Sequence, residues 1–346
     1  MSFDEAVTYL LSLGHETLAM KLGLRSVARL LARTGDPHRS FDAVQIAGTN
    51  GKGSTAAMLD AVCCAARIRT GLYTSPHLVS ITERIKIDGR EVSRDEFALA
   101  ARVVRDASEE LARESGARPT FFEQVTAIAL LIFRDAGVSL AVLETGLGGR
   151  LDATTAACAR VLGITSIALD HQEHLGPTLA HIAAEKAGAI RAGVTESVVV
   201  ARQTAEAEEV VRARAAECGV EPRFATRDIS FDGACGAGRV RATFRTERDV
   251  YEGVCLSLRG RHQAENAAVA IALAEVLRER GYHISREHIV GGLEHAEHAG
   301  RLELIEGEPA VLLDGAHNVE GARALREYLA ELGRAPVTLV FGAMRD

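Results

Sequence analysis

The chain has 346 residues, 47% of them hydrophobic and 25% charged, the balance of a soluble α/β protein long enough for two cores. Its formal net charge of −7 excludes a general nucleic-acid or anionic-membrane surface, so any basic site must be local. Met1–Glu5 carries no basic head before an apolar core, and no apolar run reaches the length of a spanning helix, which together read as cytoplasmic, with neither membrane nor nucleic acid as partner.

Two amphipathic helices, Phe3 to Leu13 and Leu24 to Thr34, are joined by the stretch Gly14 to Gly23 and read as a packing layer. Val44-Gln45-Ile46-Ala47 then enters Gly48-Thr49-Asn50-Gly51-Lys52-Gly53-Ser54 and leaves as an Ala/Met/Leu segment. That order is strand, phosphate loop, helix. The glycines let successive N–H groups turn inward, the helix N-terminus adds positive potential, and Lys52 can reach the outer phosphates. The loop departs from the standard pattern, with Ile46 in place of the first glycine and Gly53 after Lys52, which moves the hydroxyl on to Ser54. Arg69 to Leu78 is a strand running into a loop, where Ser75 before Pro76 is a turn residue on local grounds. Glu83 to Gly89 is an alternating strand with a turn, and Ser93 to Ser115 a long charged helix. Thr120-Phe121-Phe122-Glu123 opens an apolar helix to Arg134 in a chain with only 4% aromatics. The adjacent rings fit core packing or a flat face for a heteroaromatic ligand.

Ser139 to Glu144 is a buried-type strand ending in a carboxylate. The carboxyl edge of an open parallel sheet is where ligands bind, which places Glu144 to hold Mg²⁺ opposite the phosphate loop. Gly146 to Thr154 follows as a glycine-rich loop bearing Arg150 and Asp152, either a surface turn or part of a site. Val161 to His171 repeats the arrangement, with Asp170 and His171 at the end of a strand expected beside that of Glu144. The next helix holds Lys186 in an alanine-rich surround, where desolvation favours the neutral amine, able to add CO₂ and become a carbamate. The other reading is a solvated helix lysine.

Residues 195 to 230 alternate strand, helix and strand, and Arg239 to Phe244 with Gly253 to Leu258 suggest a small antiparallel meander. Gly260 to Ala268 enters an alanine-rich helix with His262, Gln263 and Asn266 near its start. The pattern breaks around Ala296 to Gly300, which sets a domain boundary between residues 298 and 299; His295 and His298 read as a solvated helix end. Beyond it come strands at Arg301 to Ile305 and Val311 to Asp314, a helix from Val319 to Gly333 and a further strand at Val337 to Gly342. Cys63, Cys64, Cys158, Cys218, Cys235 and Cys255 show no metal spacing and read as buried, reduced and inert.

Thr49 to Ser54, Thr74 to Leu78, Glu144 to Thr154, Leu169 to His171, Glu185 to Gly188 and Val311 to Asn318 together resemble the folylpolyglutamate synthase/dihydrofolate synthase family, a branch of the Mur ligases. The resemblance implies an α/β ATP-binding domain over 1–298, with a mostly parallel sheet, and the first, incomplete part of a doubly wound, Rossmann-like domain over 299–346. It implies an ATP-dependent amide ligase adding L-glutamate to dihydropteroate and to reduced folates through an acyl phosphate. Chain extension of folates alone is one alternative reading, and nucleotide binding without catalysis another. Gly48 to Ser54, Asn266, Arg301, Asp314 and His317 would meet ATP; Ser75, Glu144, His171 and carbamylated Lys186 would hold two Mg²⁺. Thr120, Phe122 and Asp152 would face the pterin, and Lys52, His171, Lys186 and Asp152 would be catalytic. Lys21-Leu22-Gly23-Leu24 would lie near the folate end, and the enzyme would be a monomer. Two departures stand out: Thr155 in place of asparagine, and His298-Ala299 where the family often has Trp-Pro.

Overall fold

The computed structural model describes residues 1–14, 23–225, 228–236, 238–333 and 337–342; Lys21 and Leu22 lie outside them. The strands are β1 (Asp42–Ala47), β2 (Thr70–Tyr73), β3 (Ile85–Ile87), β4 (Arg90–Glu91), β5 (Leu140–Glu144), β6 (Val161–Ile164), β7 (Ser197–Val200), β8 (Pro222–Phe224), β9 (Asp228–Ala234), β10 (Val240–Arg245), β11 (Val250–Cys255), β12 (Glu303–Ile305) and β13 (Val311–Leu313). The helices are α1 (Phe3–Leu11), α2 (Leu24–Arg33), α3 (Lys52–Ala65), α4 (Arg94–Ser115), α5 (Phe121–Asp135), α6 (Gln172–Leu175), α7 (Leu179–Ala187), α8 (Ala205–Glu217), α9 (His262–Glu279), α10 (Arg286–His295) and α11 (Val319–Leu332).

β1 to β8 form one sheet in the order β4-β3-β2-β5-β1-β6-β7-β8, parallel from β2 to β8, with β3 and β4 antiparallel at one edge. The central strands are near-continuous apolar runs because both faces are covered. Met58, Leu59 and Val62 of α3 pack with α9 and α10 on one side. Leu30 and Leu31 of α2, Phe97 and Val104 of α4 and Ile128 to Phe133 of α5 cover the other. A third cluster joins β6 and β7 to α7 and α8.

Three expectations change. β1 lies between β5 and β6, so the strand before His171 is not the neighbour of the Glu144 strand. That strand also ends at Ile164, because the chain then turns across the phosphate loop: Thr165 N donates to Ala47 O at 2.8 Å and Thr49 N to Ser166 O at 2.8 Å. Nor are the cysteines uniformly buried and reduced. Cys158 is exposed, and the β9–β10 turn brings Cys235 onto the end of β11, where it is bonded to Cys255. A spacing of 20 residues conveys nothing about register, so the pairing was not readable. Finally, β12 and β13 form an antiparallel hairpin, and residues 337–342 are not a strand. No described strand pairs with them, and Val340 and Phe341 stand 93% and 72% exposed.

Candidate active site

β1, β5 and β6 deliver their carboxyl ends to one side of the sheet, and a cavity of about 960 Å³ opens there. Gly51, at φ +87°, holds the N-cap position of α3 and gives no side-chain cap. The first-turn N–H groups are therefore left for an anion. A Cβ at Gly51 would collide with the Asn266 carboxamide, and one at Gly48 with the Thr165 hydroxyl. Lys52 Nζ donates to Thr49 O at 3.0 Å, folding the lysine back over its own loop. Gly48 lies beneath that loop, away from the cavity wall, and its carbonyl accepts from Lys186 Nζ at 2.7 Å.

Every other residue expected at the site lines this one cavity: Thr49 to Ser54, Ser75, Thr120, Phe122, Glu144, Asp152, His171, Lys186, Asn266, Arg301, Asp314 and His317. Glu144 is 4% exposed and accepts from Ser75 N at 3.0 Å. Burial pushes its carboxyl up while Lys52 draws it back; burial likewise pushes the Lys52 amine down while Glu144 and Asp170 hold its charge. Lys186 is 3% exposed; burial, and then the charge of Lys52, lowers its pKa to about 7. Asp170 behaves oppositely. Burial works against its charge, but His317, His171 and Asn318 hold it below the usual carboxylate range, with His317 Nε2 3.6 Å and His171 Nε2 3.9 Å away.

Asp152 is less free than its placement suggests, since Oδ1 accepts from Thr154 N at 2.9 Å and Oδ2 from Leu147 N at 3.0 Å. It shapes the glycine loop. Thr155 fills the place of the expected asparagine by donating to Gly149 O at 2.6 Å and accepting from Gln45 Nε2 at 2.7 Å. Thr120 caps α5, accepting from Glu123 N at 3.3 Å, while Thr120 N donates to Glu123 Oε2 at 2.7 Å. Glu123 Oε1 is buried without a partner on the same cavity wall. The Phe122 ring lies over Gly146, its centroid 6.1 Å from that of Tyr73.

The donor types fit a hard cation at the phosphate end: Glu144, which accepts from Ser75 N, lines the cavity together with Ser75 and Ser54. Among the described residues no three His, Cys, Asp or Glu side chains converge as a metal cage.

Residues 46–274 match the Mur ligase middle domain. The dihydrofolate synthase/folylpolyglutamate synthase of Bacillus subtilis is 38% identical over 339 residues, covering 96% of this chain and 78% of that protein. The chain belongs to the folylpolyglutamate synthase/dihydrofolate synthase family of Mur ligases. A probable bifunctional folylpolyglutamate synthase/dihydropteroate synthase of Haloferax volcanii is 39% identical over this whole chain, which spans 41% of that longer protein. A solved FPGS–AMPPCP–folate complex superposes with a TM-score of 0.90 at 34% identity, covering 97% of this chain and 82% of its own. No helix of this family member is long and apolar enough to cross a membrane, among the described residues.

Two residues packed behind this folylpolyglutamate synthase-like site escape the sequence. Asn318 Nδ2 donates to Asn50 Oδ1 at 2.9 Å and to Asp170 Oδ2 at 3.2 Å, tying the C-terminal helix to the phosphate loop. The one available signal was its place as N-cap before Val319. His298, expected in solvent, instead packs its ring on Gly53. Burial, with Arg301 nearby, lowers its pKa to about 3. Residue 53 lacks a Cβ, which leaves room for the ring, and 245 positions separate the two in sequence.

Proposed function

We propose that this chain is an ATP-dependent ligase that couples L-glutamate to dihydropteroate and to reduced folates, with residues 1–298 as ATP-binding domain and 299–346 as the start of a second domain. One observation carries the reading: an uncapped phosphate loop, a buried carboxylate, a buried lysine and Arg301, Asp314 and His317 from the C-terminal segment line the same cavity. A substrate carboxylate oxygen attacks the γ-phosphorus of ATP as the bond to ADP breaks. The amine of glutamate then displaces phosphate from the acyl phosphate. The loop amides and Lys52 hold the phosphates, and the C-terminal segment shields the acyl phosphate from water. Ser75 and Glu144 would hold one Mg²⁺, and His171 with carbamylated Lys186 a second; the ions would neutralise charge on the phosphates. Phe122 offers its face to the pterin.

The assay is dihydropteroate, Mg-ATP and L-glutamate, following dihydrofolate and ADP. Turnover on tetrahydrofolate without dihydrofolate formation would reduce the activity to chain extension. Tight Mg-ATP binding with no folate-dependent ADP would leave a nucleotide-binding protein.

For Lys186, an amine with a pKa of about 7 is neutral in good part at neutral pH, so its lone pair can add to CO₂ with release of a proton. Lys186→Ala is expected to lower turnover at least 100-fold, with short-chain carboxylic acids restoring part of it. Full activity in the Ala variant removes the carbamate from the mechanism.

A further inference from the structure

We propose that His298 is a positioning residue: its ring seats the segment linking α10 to β12 onto Gly53, and so fixes Arg301 over the phosphate loop. This rests on the nucleotide reading given above and adds a residue to it.

The geometry starts at Gly53, in the first turn of α3. A Cβ there would run into His298 Cε1 and lie 3.1 Å from His298 Nε2 and 3.1 Å from Glu144 Oε2. The imidazole and the Glu144 carboxylate therefore close on the same bare Cα. From that seat the chain has three residues in which to deliver Arg301, and each step is pinned. Gly300 takes φ +68°, and its carbonyl accepts from Gly315 N at 3.0 Å. Leu302 is left-handed at φ +45° although it is not glycine, is 1% exposed, and donates its N–H to Asp314 Oδ2 at 2.9 Å. A leucine holds that conformation only when its surroundings over-determine it. Between these anchors Arg301 lays its guanidinium on Gly315, where no Cβ would fit beside it.

The segment is thus fixed to β13 and its loop at one end, and His298 fixes the other end to the phosphate loop. Without the ring, the Gly315 and Asp314 contacts would still hold Arg301 to the hairpin, but the linking segment would lose its contact with Gly53, leaving the hairpin's register over the phosphate loop to the Asn318 contacts with Asn50. The ring makes its contact as an uncharged plate, because burial and the neighbouring Arg301 charge keep its protonation far below neutrality. Its contribution is its flat shape together with a hydrogen bond to the Gly53 backbone.

The test is calorimetric binding of Mg-AMPPCP to the full chain, with His298→Ala, His298→Trp, Arg301→Ala and the His298→Ala/Arg301→Ala double variant. His298→Ala is expected to weaken binding about tenfold, and His298→Trp, which restores a flat ring, to recover to within threefold of wild type. Because His298 acts through Arg301, the double variant should bind within twofold of Arg301→Ala alone. A His298→Ala affinity within twofold of wild type, or penalties that multiply in the double variant, would overturn the proposal. Should the alanine variant not fold, His298→Gln, which keeps the length and loses the ring, makes the same comparison. Wild-type chain that fails to bind Mg-AMPPCP at all would instead bring down the nucleotide reading itself.

Discussion

Asp60 shows how one side chain escapes a sequence reading. It stands in the Ala/Met/Leu run of α3, where a lone carboxylate suggests a solvated position, yet it is 4% exposed and its Oδ1 has no hydrogen-bond partner. Burial pushes its pKa from 3.8 to about 6. A folded-state pKa raised above the unfolded value means that the neutral form contributes stability below about pH 4, which is lost as pH rises through 6. Taking 1.36 kcal/mol per unit, the loss is about 3 kcal/mol. Urea titrations of wild type and Asp60→Asn at pH 4 and pH 7 should therefore show the wild type losing roughly 2 kcal/mol against the variant over that interval, part of the full loss having already occurred at pH 4; parallel stabilities would remove the effect. Gln45 is hidden for the same reason. Its Nε2 sits 3.1, 3.0 and 2.7 Å from the hydroxyls of Thr145, Thr154 and Thr155, partners about a hundred positions away that no local pattern reveals.

At the scale of elements the sequence is more legible, because buried parallel strands are continuous apolar runs and helix starts carry their own caps, as Ser93 and Thr120 do. Strand order is not local, so the place of β1 between β5 and β6 had to come from the tertiary structure. The loop between β1 and α3 was readable because its chemistry is local: glycines and a lysine at the mouth of a helix. Gly51 is tightly constrained within it. Alanine there would strain the left-handed backbone by about 1 kcal/mol and would displace the Asn266 carboxamide, shifting the first turn of α9 away from the loop. Gly51→Ala is expected to bind Mg-AMPPCP at least tenfold more weakly by calorimetry with unchanged far-UV circular dichroism; wild-type affinity would mean that the Asn266 side chain simply swings aside.

For the whole molecule, the question is what holds the C-terminal hairpin and helix against the sheet. Asn318 is the hub. Its Oδ1 accepts from Gly321 N at 2.9 Å, capping α11, and from Asn50 Nδ2 at 3.3 Å, while its Nδ2 serves Asn50 Oδ1 and Asp170 Oδ2. One carboxamide therefore caps a helix and latches it to both the phosphate loop and the loop after β6. The two roles can be separated. Asn318→Ala removes both, at a capping cost of about 1 kcal/mol. Asn318→Asp keeps a capping oxygen but loses the donor and sets a second negative charge against Asp170. Hydrogen exchange of residues 319–325 should quicken strongly in the Ala variant, whereas affinity for Mg-AMPPCP should fall about equally in both, because both lose the latch. An Asp variant that binds as tightly as wild type would show that the cap alone matters and that closure depends on Arg301 and His317 instead.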